Sequence, residues 1–283
     1  MTPRRITVSA RDGLAMSALE WDGPRDRAPV LVLSGICRTA LDAETVAAHQ
    51  AGRRRVVALD YIGHGESARP ANPRRYGPEA LIRDVMDAMA ALHLHGAAVV
   101  GTSFGGLCAM AASVMRPAAI SAVVLNDIGP QIEPVGREAV VAFIGTDPAS
   151  ASFDEALAWF RARHPPMPML DDAAWRAFAA RTYAEGPDRH WHPRWDIRIA
   201  QQAVGDGAGP PPDLWPFFGA LATRPTMLVW GEESRLLGAE TVARMQRLHP
   251  AMRLLRLPGT GHAPTLGEPP AASAIEDFLA GLA

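Results

Sequence analysis

Three short stretches carry side chains able to do covalent chemistry on a carbonyl group. Gly101-Thr102-Ser103-Phe104-Gly105-Gly106 follows an apolar run that ends at Val100. In a G-x-S-x-G turn between a strand and a helix the serine is pushed outward on a strained backbone. The flanking glycines are needed because a Cβ there would collide with neighbouring main chain. The start of the following helix favours negative charge, and the Phe104 N–H is placed to donate to an oxyanion. Pro258-Gly259-Thr260-Gly261-His262 holds an imidazole on a glycine-rich loop near the C-terminal end, where it can reach the elbow serine and act as its general base. Ser34-Gly35-Ile36-Cys37-Arg38 follows the apolar run Val30–Leu33; its glycine lets the backbone approach a substrate, and the Ile36 N–H becomes a second oxyanion donor. Each stretch alone has a plainer explanation: a tight turn, a surface histidine, a Ser-Gly turn after a strand. Together they spell attack by Ser103 and proton transfer to His262. Arg38, at the end of the third stretch, can present a guanidinium to a substrate carboxylate, against the alternative of an arginine paired with a local acid.

The elements that must position these groups follow from the hydrophobic pattern. Residues 6–10 and 14–21 alternate polar and apolar around Arg11-Asp12-Gly13, which predicts a β-hairpin. Four continuous apolar runs, at 30–33, 56–59, 97–100 and 120–125, predict buried parallel strands. Helical spacing between them, at 79–92 and 104–115, gives a strand–helix–strand order and hence right-handed crossovers. The regularity breaks at 131–213, a segment rich in Trp, Pro, Met and His with helical patches at 153–163 and 171–183 and no clear β-run. Strand and helix grammar resumes with a strand at 226–230, a helix at 239–248, a strand at 252–257 and a helix at 270–282. The pattern thus predicts an α/β core from 1–130 and 214–283 with a helical insertion at 131–213. Trp159, Phe160, Met167 and Met169 in the insertion can line an apolar pocket, although such residues at helical spacing more often form core. His190-Trp191-His192 puts two imidazoles on one face if extended, but no third ligand is evident and no metal is expected.

Composition narrows the partners. The chain has 283 residues, 48% hydrophobic, enough for a sizeable core. A net charge of -2 without a basic block gives no footprint for nucleic acid, so a small molecule is the expected partner, with homodimerisation left open. The first 21 residues lack a continuous apolar stretch, and no segment reaches the roughly 18 apolar residues of a membrane span; the expectation is a cytoplasmic protein that meets no membrane. Cys37 and Cys108 are far apart and fit neither metal spacing nor a disulfide framework, so both are expected reduced.

Over nearly its whole length the sequence resembles the α/β-hydrolase superfamily. Besides the elbow and the late histidine, Asp60-Tyr61-Ile62-Gly63-His64-Gly65-Glu66-Ser67 is similar to the family's D-x-x-G-x-G-x-S turn, in which His64 serves the turn rather than the substrate. Leu125-Asn126-Asp127-Ile128-Gly129-Pro130 and Gly261-His262-Ala263-Pro264-Thr265-Leu266 resemble a bacterial subgroup of mostly uncharacterised hydrolases with a helical cap. The resemblance implies an eight-stranded, mostly parallel sheet flanked by helices, a cap at 131–213, and no cofactor. In one place the sequence departs from the family. Members commonly carry the triad acid after the strand at 226–230, but here that stretch reads Trp230-Gly231-Glu232-Glu233-Ser234-Arg235.

A histidine base needs a carboxylate on its Nδ1–H. Asp127 lies just beyond the strand that neighbours the elbow strand, on the sheet edge where active sites form, and the family allows an acid there. Glu232 and Glu233 are rivals, and Asp127 can also be explained as an acceptor for backbone N–H groups in its turn. The expected activity is hydrolysis of a carboxylic ester, thioester, amide or lactone through an acyl-enzyme. Hydrolysis of a C–C bond, or cofactor-free lyase or perhydrolase chemistry, would use the same residues. A ligand receptor on this scaffold would more naturally have lost Ser103 or His262. A serine at the elbow argues against the related haloalkane dehalogenases and epoxide hydrolases, which use aspartate.

Overall fold

The computed structural model describes residues 2–203 and 212–282; part of the expected insertion, 204–211, lies outside the described residues. The first two strands, β1 (Arg4–Ser9) and β2 (Ala15–Trp21), form the antiparallel hairpin that their alternation predicts. Next come β3 (Val30–Leu33), β4 (Val56–Leu59), β5 (Ala97–Thr102) and β6 (Ile120–Asn126). Two short strands in the insertion, β7 (Tyr183–Glu185) and β8 (Trp191–Pro193), precede β9 (Thr226–Gly231) and β10 (Arg253–Leu257). The main sheet has eight strands in the order β1-β2-β4-β3-β5-β6-β9-β10, parallel from β4 to β10. Its central strands are buried on both faces, which is why they read as unbroken Val, Leu and Ala runs.

Alternate residues of these strands feed two cores. Val99, Val123 and Leu125 face a layer made by α2 (Pro78–Ala91) and α3 (Phe104–Met115), while Val100, Ala122 and Val124 face α1 (Glu44–Gln50) and the C-terminal helix Pro269–Ala280. The insertion between β6 and β9 supplies α4 (Pro134–Ile144), α5 (Phe153–Arg163) and α6 (Asp172–Thr182). The last two start where their sequences say they should: Ser152 and Asp171 accept the Glu155 and Ala174 N–H groups as N-caps. A third, separate core of Phe160, Met167, Trp175, Phe178 and Tyr183 holds the insertion together.

The insertion also contains β structure, contrary to the expectation of helices alone. Tyr183–Glu185 pairs with Trp191–Pro193 as a hairpin, and three residues per strand are too few for alternation to be read. In this hairpin His192 binds the Asp147 carboxylate at 2.7 Å through Nδ1 and the Asp188 carboxylate at 3.0 Å through Nε2. The insertion is tied to the 60–67 turn, where Gly65 N–H donates to the Arg194 carbonyl and Asp196 N–H to that of Gly63, both at 2.8 Å. Among the described residues, no helix is long and apolar enough to cross a membrane.

One glycine shows how tightly the elbow helix sits on the sheet. A Cβ on Gly105 would lie 2.0 Å from the Leu33 carbonyl oxygen, so α3 and β3 could not keep their approach. Gly105→Ala should therefore cost about 3 kcal/mol or more in urea unfolding. Gly219→Ala is the control, because a Cβ there meets nothing within 4 Å; it should be neutral or stabilise by about 0.5 kcal/mol.

Candidate active site

The chain turns from β5 into α3 at Ser103, whose φ of 52° and ψ of -117° lie outside the comfortable regions for an L-residue. That turn lifts the hydroxyl to the C-terminal edge of the sheet. The glycines around it are demanded by space: a Cβ on Gly101 would stand 2.5 Å from the Gly105 carbonyl oxygen, and one on Gly106 2.3 Å from Ile128 Cγ2.

His262, on the loop after β10, reaches back over this edge. Its Nε2 lies 3.0 Å from Ser103 Oγ and its Nδ1 2.7 Å from Asp127 Oδ2. An ionised carboxylate only accepts, so the Nδ1 proton points to Asp127 and the Nε2 lone pair to the serine hydroxyl. Asp127 is fully buried in a left-handed conformation, φ 52°, just past β6. Its other oxygen, Oδ1, accepts the Gly231 N–H at 3.0 Å. The backbone N–H that Asp127 accepts thus comes from β9 and not from its own turn, as the plainer explanation had it. The rival acids do not meet His262: Glu232 makes a long ion pair with Arg256 (3.7 Å), and Glu233 is exposed at the cavity edge. Ser234, in the stretch where the family commonly has its acid, accepts the Leu236 and Leu237 N–H groups and shapes the loop.

Several supporting residues were not anticipated. Asn126 accepts the Ser103 N–H on its backbone carbonyl (3.0 Å), while its side-chain amide donates to Thr102 Oγ1 (3.0 Å) and to the Pro264 carbonyl (2.8 Å). One residue therefore couples the serine turn to the histidine loop. The only sequence signal for it was its place beside Asp127. His64, buried completely, donates Nε2–H to the Ile36 carbonyl at 2.5 Å, and burial holds its imidazole below the usual histidine range. As the turn motif implies, His64 does not line the cavity; it braces the loop that does. The Tyr61 hydroxyl, bonded to the Ser34 carbonyl at 2.9 Å, braces the same loop. The Ile36 and Phe104 N–H groups make no hydrogen bond within the described residues, which leaves both free to donate to a ligand.

Above Ser103 and His262 lies a cavity of about 360 Å³, with Ile36, Val140, Phe143, Phe160, Phe178 and Leu266 among its apolar walls. Phe160 both lines it and joins the insertion core; Met167 is core, Trp159 packs against Phe143 and Tyr183, and Met169 is exposed. Cys37 lines the cavity as a free thiol, neutral because burial pushes its pKa up to about 11.

The expected role of Arg38 as a carboxylate receptor needs correction. It borders the cavity, but its guanidinium is already committed: Nε and Nη2 bind the two Asp42 oxygens at 2.5 and 2.6 Å, Nη1 binds Thr182 Oγ1, and the plane lies 4.1 Å from the Phe178 ring centroid. Asp42 also receives Arg181 at 3.2 Å. This is the locally paired arginine, and its effect is to clamp the loop after β3 to α6 of the insertion.

Fold and site together define a class. A family model described as alpha/beta hydrolase fold matches residues 28–269, and the chain belongs to this family. An α/β hydrolase from Novosphingobium aromaticivorans of solved structure is 34% identical, with a TM-score of 0.93 over 99% of both chains. The chain is also similar to a 3-hydroxybutyrate-oligomer hydrolase of Cupriavidus necator, 28% identical over 94% of this chain and 93% of that one. It is 27% identical to a 2-(acetamidomethylene)succinate hydrolase of Mesorhizobium japonicum, over 91% of this chain and 86% of the relative. It is accordingly an enzyme of the hydrolase class.

The Arg38 clamp makes a prediction that differs from substrate binding. Arg38→Ala leaves Asp42 with Arg181 alone and removes the Thr182 contact and the stacking on Phe178 in a largely buried wall, a loss of about 3 kcal/mol. The thermal midpoint should fall by roughly 6–12 °C. Any rise in KM should be the same for acidic and neutral esters; a rise confined to acidic ones would restore the carboxylate role.

Proposed function

We propose that this enzyme is a serine hydrolase that cleaves a small-molecule carboxylic ester through an acyl-enzyme. The observation that carries this is the unbroken relay from Asp127 Oδ2 through His262 to Ser103 Oγ, 2.7 and 3.0 Å long, at the floor of an apolar cavity. Ser103 Oγ attacks the carbonyl carbon while His262 Nε2 takes its proton. The oxyanion forms against the Ile36 and Phe104 N–H groups. The imidazolium, stabilised by Asp127, returns the proton to the leaving alcohol. Water then repeats the sequence on the acyl-enzyme, with His262 again as base.

Residues 131–213 act in this scheme as a cap on the 1–130 and 214–283 core. A cavity of about 360 Å³ holds a short acyl chain rather than a polymer segment. The nearly full-length similarity to a 3-hydroxybutyrate-oligomer hydrolase favours short esters of hydroxy acids among ester substrates. Cleavage of an amide or enamide bond by the same residues is the second reading, favoured by the similarity to the 2-(acetamidomethylene)succinate hydrolase. The fold itself does not choose between these bonds.

Two experiments test the assignment. A fluorophosphonate should label Ser103 and no other residue, and labelling that persists in Ser103→Ala would exclude Ser103 as nucleophile. Asp127→Asn should lower kcat by about 10⁴ with an unchanged circular dichroism spectrum. Near-normal turnover in that variant, together with collapse in Glu233→Gln, would move the acid to the loop after β9.

A further inference from the structure

His164 stands directly after α5 and begins a segment that docks on the histidine loop. The Gly261 N–H donates to the Pro166 carbonyl at 2.7 Å, and a Cβ on Gly261 would lie 2.4 Å from Pro165 Cβ. The imidazole of His164 therefore enters the cavity wall close to His262. Three rings box it in: Phe160, Phe178 and Trp175, with centroids 5.0, 5.2 and 5.5 Å away.

The proton position follows from one contact. His164 Nδ1 lies 3.0 Å from the Pro165 carbonyl oxygen, which can only accept, so Nδ1 carries the proton and Nε2 keeps its lone pair. Nε2 has no hydrogen-bond partner among the described residues, and it is not among the polar atoms sealed from solvent. The residue lines the cavity, which puts this lone pair within reach of a ligand bound there. Burial pushes the imidazole down to about 4, with nearby Arg38 and His262 acting in the same direction, so the ring is neutral at physiological pH.

We propose that His164 is a specificity-determining residue whose Nε2 accepts a hydrogen bond from a hydroxyl on the substrate. The inference rests on the serine-hydrolase reading and names what that hydrolase selects. A plain alkyl chain filling the cavity strips water from Nε2 and leaves it unpaired, which is penalised; a hydroxyl replaces the lost water. An amide donor fits less well, because it brings a carbonyl that needs its own donor, and three aromatic rings surround this point.

The test compares kcat/KM for p-nitrophenyl 3-hydroxybutyrate, butyrate and 3-methoxybutyrate. A second pair, 3-hydroxybutyl butyrate and butyl butyrate, places the hydroxyl on the alcohol side instead. One hydroxylated ester should be preferred over its deoxy partner by roughly tenfold or more. If it is the acyl-side ester, the methyl ether should drop to the deoxy level, since it keeps the oxygen but cannot donate. His164→Phe, which fills the aromatic box, should bring the ratio to about one, whereas His164→Gln, which retains an acceptor, should keep part of it. Absence of preference in both pairs of the wild-type enzyme overturns the proposal, as does a preference that survives His164→Phe. Fluorophosphonate labelling of Ser103 in the same preparations reads the underlying reading separately: labelled enzyme without hydroxyl selectivity sinks only the role of His164.

Discussion

The site depends on one buried carboxylate that has two jobs. Removing Asp127 from water is costly unless its oxygens are satisfied, and here each has a partner: His262 Nδ1–H on Oδ2, the Gly231 N–H on Oδ1. The surroundings are arranged around this requirement. β6 and β9 are neighbours in the sheet, and the Asp127 N–H itself bonds the Val229 carbonyl at 2.8 Å, so the ends of the two strands are joined directly. Gly231 must lack a side chain, because a Cβ there would come within 2.5 Å of the Thr260 carbonyl oxygen on the histidine loop. Three loops from three strands thus meet at a point set by a single anion, and the direction of the imidazole follows from it.

Much of this was legible in the sequence because it is enforced over short distances. Buried parallel strands must be apolar throughout, an elbow serine must have glycine around it, and a base on a glycine-rich loop after the last strand has few places to go. The contact of Asp127 with His262 was legible by topology, since adjacency of β5 and β6 follows from the order of strands and helices. Contacts between segments far apart were not. Nothing in the pattern tells that Asn126 holds Pro264, or that His64 carries the Ile36 carbonyl, because both bonds depend on where loops cross. Arg38 is different: Asp42 stands four residues on, a spacing at which opposite charges meet on a helical turn, and that signal was available. The short β7–β8 hairpin was hidden by its length.

The insertion is not simply laid over the core. Among its ties to the core are those of Arg38 to Thr182, of the Pro166 carbonyl to Gly261, and of the 63–65 turn to residues 194–196. Two of these ties join the same loops that hold the Ile36 N–H and His262. The cavity wall and the loops of Ile36 and His262 therefore share a frame, and under the proposed mechanism a substrate that displaces the wall also displaces an oxyanion donor or the base. Discrimination by the insertion would then be felt in kcat as well as in KM, since misplacing a catalytic group by a fraction of an ångström weakens the transition state more than the ground state.

The same frame explains why an acid can stand after β6 without the usual one after β9. Both strands end at the same edge of the sheet, side by side, and their loops are cross-linked by the Asp127–Val229 and Gly231–Asp127 hydrogen bonds. A carboxylate at the end of either loop approaches His262 Nδ1 from nearly the same side. What fixes the choice is backbone geometry. After β6 the chain turns left-handed at Asp127, a conformation that aspartate tolerates better than most residues because its short side chain bonds locally. After β9 the chain carries Ser234, whose hydroxyl accepts the Leu236 and Leu237 N–H groups. Ser234 therefore caps its own loop, and the carboxylate that meets the imidazole comes from β6.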